Sequence, residues 1–216
     1  MRETQIVERI RRMAEHGHRD KAVVTAIGDD CAVLRPKANE DLVFTSDFVL
    51  EGRHFTLDTH SAADIGHKAL ARSLSDVAAM GAEPAFCLVS LAVPAQRSSA
   101  WATQFYKGLL ALADRYKITL AGGDLARFDK VVADVICCGR VPRGKALLRG
   151  GAKPGDRIYV TGELGGSAYG LTTQKGRAWR GHLRPEPRIA AGIALRRLGF
   201  AACIDISDGL SLDLHR

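Results

Sequence analysis

The sequence predicts helices and strands interleaved in two unequal parts, a larger one over residues 1–140 and a shorter one from about 145 onward. Three observations predict it. Apolar residues recur at helical spacing in 3–16, 61–80 and 98–116. Short runs rich in Val, Ile, Leu and Phe alternate with those stretches. A segment dense in Gly, Pro and basic residues, 139–155, interrupts the pattern and reads as a connection between domains.

Each element has its own local reason. Residues 3–16 place Ile6, Val7, Ile10 and Met13 on one helical face. Two short strands follow, Cys31–Leu34 and Leu42–Thr45. Ser61 and Asp64 have capping-box spacing and open an Ala-rich helix to Met80, with Gly81 as its stop. Phe86–Val93 is an apolar strand closed by Pro94. Ser98 or Ser99 caps a helix to Tyr116, with Trp101, Phe105, Leu109 and Leu112 at core spacing. Strands are predicted at 118–121 and 131–138. Beyond the connection come a strand at 157–161, a Gly-rich turn into a helix at 164–173, a helix at 187–198, a strand at 202–206 and a helix start at 208–214. The second part has too little apolar surface to stand well alone, and its abrupt stop at Arg216 suggests an incomplete chain.

Composition excludes several classes. With 216 residues, 46% hydrophobic and 25% charged, the chain has a globular balance rather than a disordered or collagen-like one. No apolar run reaches membrane-spanning length; the best, Ala85–Val93, is strand-sized. The start of the chain lacks the apolar core of a signal peptide. Five cysteines without metal spacing, in apolar surroundings, suggest buried free thiols in a reduced, cytoplasmic protein.

The formal charge of +7 raises nucleic acid or phosphate as a partner. Residues 1–139 carry 17 basic and 18 acidic groups, whereas 140–216 carry 14 and 6. The basic residues of the second part are scattered and have few aromatics among them, which argues against nucleic acid. The acids are 16 Asp against 8 Glu. Asp suits turns, caps and compact metal sites, so either metal binding or a loop-rich surface explains the bias.

Four Asp-bearing turns stand out: Gly28-Asp29-Asp30, Thr45-Ser46-Asp47, Gly122-Gly123-Asp124 and Asp205-Ile206-Ser207-Asp208-Gly209. Each is read as lying beside or at the end of an apolar strand, where a carboxylate would sit rigidly at a sheet rim. Such a group suits Mg²⁺ bridging to phosphate; a lone Asp is equally an ordinary turn residue. Lys68, Arg72 and Asp76 share one helix face, either as a solvated salt-bridge stripe or as a packed functional face. Gly139 to Ala146 resembles a phosphate loop but ends in Ala where Ser or Thr is needed to reach Mg²⁺, so it is set aside. No hydrolase triad or zinc motif is present.

Taken together, these segments resemble the thiamine-monophosphate kinases. The resemblance rests on Gly28-Asp-Asp-Cys-Ala32, on Thr45-Ser-Asp47 followed by Glu51-Gly-x-His54-Phe55, and on the Lys68-to-Pro84 helix and its exit. It extends through Gly122-Gly-Asp124, Arg149-x-Gly-Ala-x-Pro-Gly-Asp156, Tyr159-Val-Thr-Gly-x-Leu-Gly and Asp205-Ile-Ser-Asp-Gly-Leu210. The Glu-Gly-x-His-Phe element separates this family from aminoimidazole ribonucleotide synthetase, selenophosphate synthetase and the hydrogenase-maturation dehydratase.

The resemblance implies an α+β, two-domain synthetase-like fold. Its N-terminal domain, 1–140, would bind ATP and Mg²⁺ and pair its sheet with a second subunit in a homodimer. Residues 145–216 would begin an α/β C-terminal domain. The implied reaction is ATP-dependent phosphorylation of thiamine monophosphate to thiamine diphosphate; the alternatives are another ATP-dependent synthetase of the same superfamily, selenophosphate or aminoimidazole ribonucleotide synthetase-like, or an inactive truncated form. By similarity, Asp30, Asp47, Asp76, Asp124 and Asp205 would hold Mg²⁺ with the oxygens of Thr45 and Ser46, and Asp208 would touch a further ion. Asp47, Asp124 and Asp205 would carry catalysis. Tyr106, Gly123, Arg149 and Ser207 would contact ATP, and His54 the thiamine monophosphate.

Overall fold

The computed structural model describes residues 3–27, 31–97 and 99–215. A helix, α1 (Glu3–Glu15), leads into two short paired strands, β1 (Val23–Thr25) and β2 (Val33–Leu34). The main sheet has four strands: β3 (Glu40–Leu50), β4 (Glu83–Val93), β5 (Thr119–Arg127) and β6 (Val132–Pro142), in the order β3-β6-β4-β5. β6 runs antiparallel to both of its neighbours, whereas β4 and β5 are parallel. Parallel neighbours need a crossover, and helix α3 (Ser99–Tyr116) supplies it.

Helix α2 (Ala62–Ala79) starts as its sequence predicts: the Ser61 hydroxyl accepts from the Asp64 N–H, and the Asp64 carboxylate accepts from the Ser61 N–H. With α3 it covers one face of the sheet. Leu70, Leu74 and Val77 of α2 meet Phe105, Leu109 and Leu112 of α3 and Val89, Leu91 and Val135 of the sheet in one core. Burying each such side chain contributes on the order of 2 kcal/mol. The two helices touch backbone to backbone. A Cβ on Gly66 would collide with the Phe105 carbonyl, and one on Gly108 with the Ala63 carbonyl.

After β6 come a 3-10 turn at Arg149–Gly151 and helices α4 (Gly166–Thr173), α5 (Gly176–Leu183), α6 (Ile189–Arg197) and α7 (Leu210–His215). Gly192 of α6 approaches the Ala78 carbonyl of α2 as closely as the α2–α3 glycines approach their partners.

The structure corrects several expectations. Thr45-Ser46-Asp47 does not end a strand; it lies inside β3, because β6 continues to pair with it through Thr45↔Cys137 and Asp47↔Val135. Gly122-Gly123-Asp124 lies inside β5, paired in parallel with β4. Gly123 has φ +148° and packs directly on the Val89 backbone, which admits no side chain. The strands expected at 157–161 and 202–206 are not formed among the described residues. A strand needs a ladder partner, and Ile158 and Tyr159 instead lie 68% and 70% exposed. Helix α5 was missed, since Gly176, Gly181 and its basic residues mask a helical pattern. Residues 139–142, read as part of a connection, complete β6. Cys31 is exposed rather than buried, and Cys203 is half-buried; Cys87, Cys137 and Cys138 are core thiols as expected.

Candidate active site

Alternation along β3 sends its residues to opposite faces of the sheet. Thr45, Asp47 and Val49 face α2, while Phe44, Ser46 and Phe48 face away. The Thr45 hydroxyl donates a short hydrogen bond to the Asp76 carboxylate. Arg72, one turn earlier on α2, reaches Asp47 at 3.3 Å. The Lys68–Arg72–Asp76 face is thus packed, with Lys68 only 6% exposed. The reading of a solvated stripe does not hold.

The returning chain closes this corner. The Ser75 hydroxyl donates to the Asp205 carboxylate at 3.0 Å. Thr45, Asp76, Arg149 and Asp205, with Val43, Met80 and Cys203, line a cavity of about 360 Å³. Burial raises the pKa of Asp76, which the Thr45 hydrogen bond opposes and the nearby Asp47 charge reinforces. Burial likewise raises Asp205, against its Ser75 hydrogen bond and with the repulsion of Asp76 and Asp213. Arg149 pulls both carboxylates the other way. The corner therefore gathers half-buried carboxylates that repel one another, beside the guanidinium groups of Arg72 and Arg149.

The expected site residues divide into groups. Asp47, Thr45, Asp76, Arg149 and Asp205 converge. Ser46 lies on the opposite face, donating to Asp134 at 2.7 Å. Asp124 pairs in register with Ser90, which in turn pairs with Asp134. Asp124 and Ser46 therefore border the outer face rather than the cavity. Tyr106 is packed in the core against Phe105, and its phenol is held well above its ordinary pKa by burial. Ser207 and Asp208 offer their backbone N–H groups to the Asp213 carboxylate, at 2.9 and 3.0 Å, at the entry to α7. Asp30 lies outside the described residues. Among those described, no three His, Cys, Asp or Glu side chains come close enough to hold an ion by themselves.

His54 sits in the turn that follows β3. Its Nδ1 accepts from the Leu50 N–H at 3.0 Å, which fixes the ring. Burial lowers its pKa, with Arg72, Arg53 and Lys68 pushing the same way, so the ring is neutral near pH 7. Sequence reasoning missed Ser75 and Asp134. Ser75 precedes Asp76 by one position, and only the return of residue 205 to α2 gives it a partner.

Comparisons with known proteins agree with this architecture. Residues 28–141, just over half of the chain, match the family described as AIR synthase related protein, N-terminal domain. The thiamine-monophosphate kinase of Salmonella typhimurium is 43% identical over 203 residues, covering 89% of this chain and 61% of its own length. This chain thus spans about three-fifths of that relative. The crystal structure of thiamine-monophosphate kinase from Stenotrophomonas maltophilia superposes with a TM-score of 0.83 at 40% identity, over 96% of this chain and 68% of that one. AaThiL, solved in complex with AMPPCP and TMP, superposes at 0.74 with 29% identity, over 99% and 70%. On this similarity the chain belongs to the thiamine-monophosphate kinase family, and its residues 28–141 form an AIR synthase related N-terminal domain.

Proposed function

We propose that this chain carries the nucleotide-binding part of an ATP-dependent kinase that phosphorylates thiamine monophosphate to thiamine diphosphate. One observation carries the reading: Thr45, Asp76, Arg149 and Asp205, far apart in sequence, line a single cavity. Phosphoryl transfer asks a protein mainly for positioning and charge compensation. Arg149 would orient an ATP phosphate, with Gly123, Tyr106 and Ser207 as the further ATP contacts inferred from the resemblance. His54, neutral and fixed by the Leu50 N–H, would present its Nε2–H to the thiamine monophosphate. The half-buried setting would limit water's access to the transferring group.

The donors fit Mg²⁺. They are hard oxygens, and the charge of Asp47 acts against that of Asp76, and Asp76 against Asp205, a repulsion that a bound cation relieves. When bound, Mg²⁺ supplies charge neutralisation between two phosphate-bearing substrates. Asp47, Asp76, Asp205 and Thr45 would hold it on the inner side. Asp30, Ser46, Asp124 and Asp208 complete the family-based set, with Asp47, Asp124 and Asp205 central to catalysis. The same reading makes 1–140 the ATP- and metal-binding domain and 145–216 the start of the second. It also places the protein in the cytoplasm. A second copy of this chain would cover the outer face of the sheet, where Phe44 and Phe48 are 60% and 54% exposed.

The test is ADP and thiamine diphosphate formation from ATP, Mg²⁺ and thiamine monophosphate. Product from the parent protein and a drop of about 100-fold or more in Asp47→Asn would support the reading. Equal turnover by parent and variant would remove Asp47 from it. ATP use that depends on another acceptor would replace the kinase with a related synthetase.

A further inference from the structure

Behind the cavity, α2 carries a lysine engaged by two histidines. The Lys68 ammonium lies 2.8 Å from Nε2 of His60, at the end of the loop before α2. It lies 3.3 Å from Nε2 of His182, on α5. An ammonium can only donate, so both Nε2 atoms must accept. Each ring then carries its proton on Nδ1. Nδ1 of His60 is 2.9 Å from the Thr59 hydroxyl, and Nδ1 of His182 is 2.8 Å from the Ser167 hydroxyl of α4. One hydrogen-bonded row therefore runs Thr59–His60–Lys68–His182–Ser167 and joins the 51–60 loop, α2, α5 and α4. Trp179 stacks on His182 with ring centroids 5.3 Å apart and meets His60 edge-on at 5.7 Å.

We propose that Lys68 is a proton-sensitive tie: it holds the 51–60 loop, and with it His54, against α4 and α5 while His60 and His182 are neutral, and it releases them when either ring is protonated. The geometry compels the sign. A protonated imidazole has no lone pair to accept from an ammonium, and two cations at this distance repel. The surrounding charges reinforce it. On the row itself act Arg72 and Asp64 of α2, and Lys68 in turn acts on His54 in the loop, alongside Arg53. Asp64, the one acid among them, is already engaged by Ser61 and by Arg184 at 2.6 Å. α4 adds only the neutral Ser167. Burial first, then the Lys68 charge and the nearness of a second titrating ring in His182, depress His60 to about 4, and burial first, then Arg72, brings Lys68 down to about 8. His182 is lowered by burial and by Lys68.

Lys68 would act as a positioning residue. Its effect on catalysis rests on the kinase reading; the tie itself does not, and Trp179 reports on it directly. With Trp101→Phe, Trp179 is the sole tryptophan of the chain. In that background the Trp179 emission should change on acidification with a midpoint below the ordinary histidine value of about 6.5. Lys68→Met should raise the midpoint by about one pH unit, whereas Lys68→Arg should keep it low. The double variant His60→Asn with His182→Asn, which stands in should Lys68→Met not fold, should remove the transition. A midpoint unmoved by Lys68→Met, or a transition that persists in the double variant, overturns the proposal. If the emission behaves as stated and thiamine monophosphate is not phosphorylated, the kinase reading fails and the tie stands. If phosphorylation occurs and the emission does not respond, the tie fails and the kinase reading stands.

Discussion

The Ser75 hydroxyl donates to the Asp205 carboxylate at 3.0 Å, across 130 positions of sequence. This bond brings the last Asp-bearing turn of the chain to α2, one residue from Asp76. It holds Asp205 where burial first, and then the charges of Asp76 and Asp213, raise its pKa against the Ser75 hydrogen bond itself. A corner of the fold thus holds like charges together because the backbone forces them there.

That repulsion weakens the metal-free fold. Asp76→Asn or Asp205→Asn should raise the melting temperature without Mg²⁺, by up to about 1 kcal/mol in stability. The same variants should lose any Mg²⁺-dependent gain in melting temperature. Thermal unfolding with and without Mg²⁺ checks both; a lower melting temperature for both variants without Mg²⁺ contradicts the prediction.

The α2–α3 contact tolerates no side chain. Gly66→Ala or Gly108→Ala should destabilise the protein by about 3 kcal/mol or more, since the opposing atom is rigid backbone carbonyl. Gly144→Ala tests a different effect: nothing lies near its Cβ, but its φ of +69° strains a side chain, so a smaller loss of about 1 kcal/mol is expected. Urea unfolding ranks the three variants.

Acid should destabilise the fold before its carboxylates titrate. His60 has a folded pKa of about 4 against an ordinary 6.5, so the unfolded chain takes a proton first. Stability is lost as pH falls from about 6.5 toward 4, by on the order of 1–3 kcal/mol. His54, His67 and His182 shift in the same direction. Asp76 and Asp205, whose folded pKa values are raised, oppose the trend only nearer the carboxylate range. Urea midpoints at pH 7 and pH 5 decide; equal midpoints would refute the prediction.

Asp20 is 6% exposed and forms a two-pronged pair with Arg140 at 3.1 and 2.5 Å, tying the 16–22 turn to β6. Asp20 also accepts the Ala22 N–H. Arg140→Met strands a buried carboxylate and should cost about 3 kcal/mol, more than replacing both partners together. A double-mutant cycle by urea unfolding measures the difference.

Local chemistry was legible in the sequence wherever the cause was local. Ser61 and Asp64 cap α2 as their spacing requires, and Phe105, Leu109 and Leu112 fall in the core at helical period. The Asp-bearing segments were identifiable as candidates for the same reason, as short motifs with their own chemistry. Strand limits were not legible, because whether Asp47 ends β3 or sits inside it depends on how far β6 goes on pairing. The expected strands at 157–161 and 202–206 failed for the converse reason: residue preference cannot supply a ladder partner.

The sequence by itself determined the family, most of the helices with the capping box of α2, and the residue types that a phosphate and metal site would use. Only the tertiary structure decided which of those residues meet. β3 sends Thr45 and Asp47 toward α2 and Ser46 away from it, and the return of residues 149 and 205 to α2 turns scattered Asp motifs into one cavity. It also turned Lys68 from one member of a charged stripe into a buried donor between two histidines. Spacing along a chain sets which face of an element a side chain occupies; the path of the chain sets what stands opposite it.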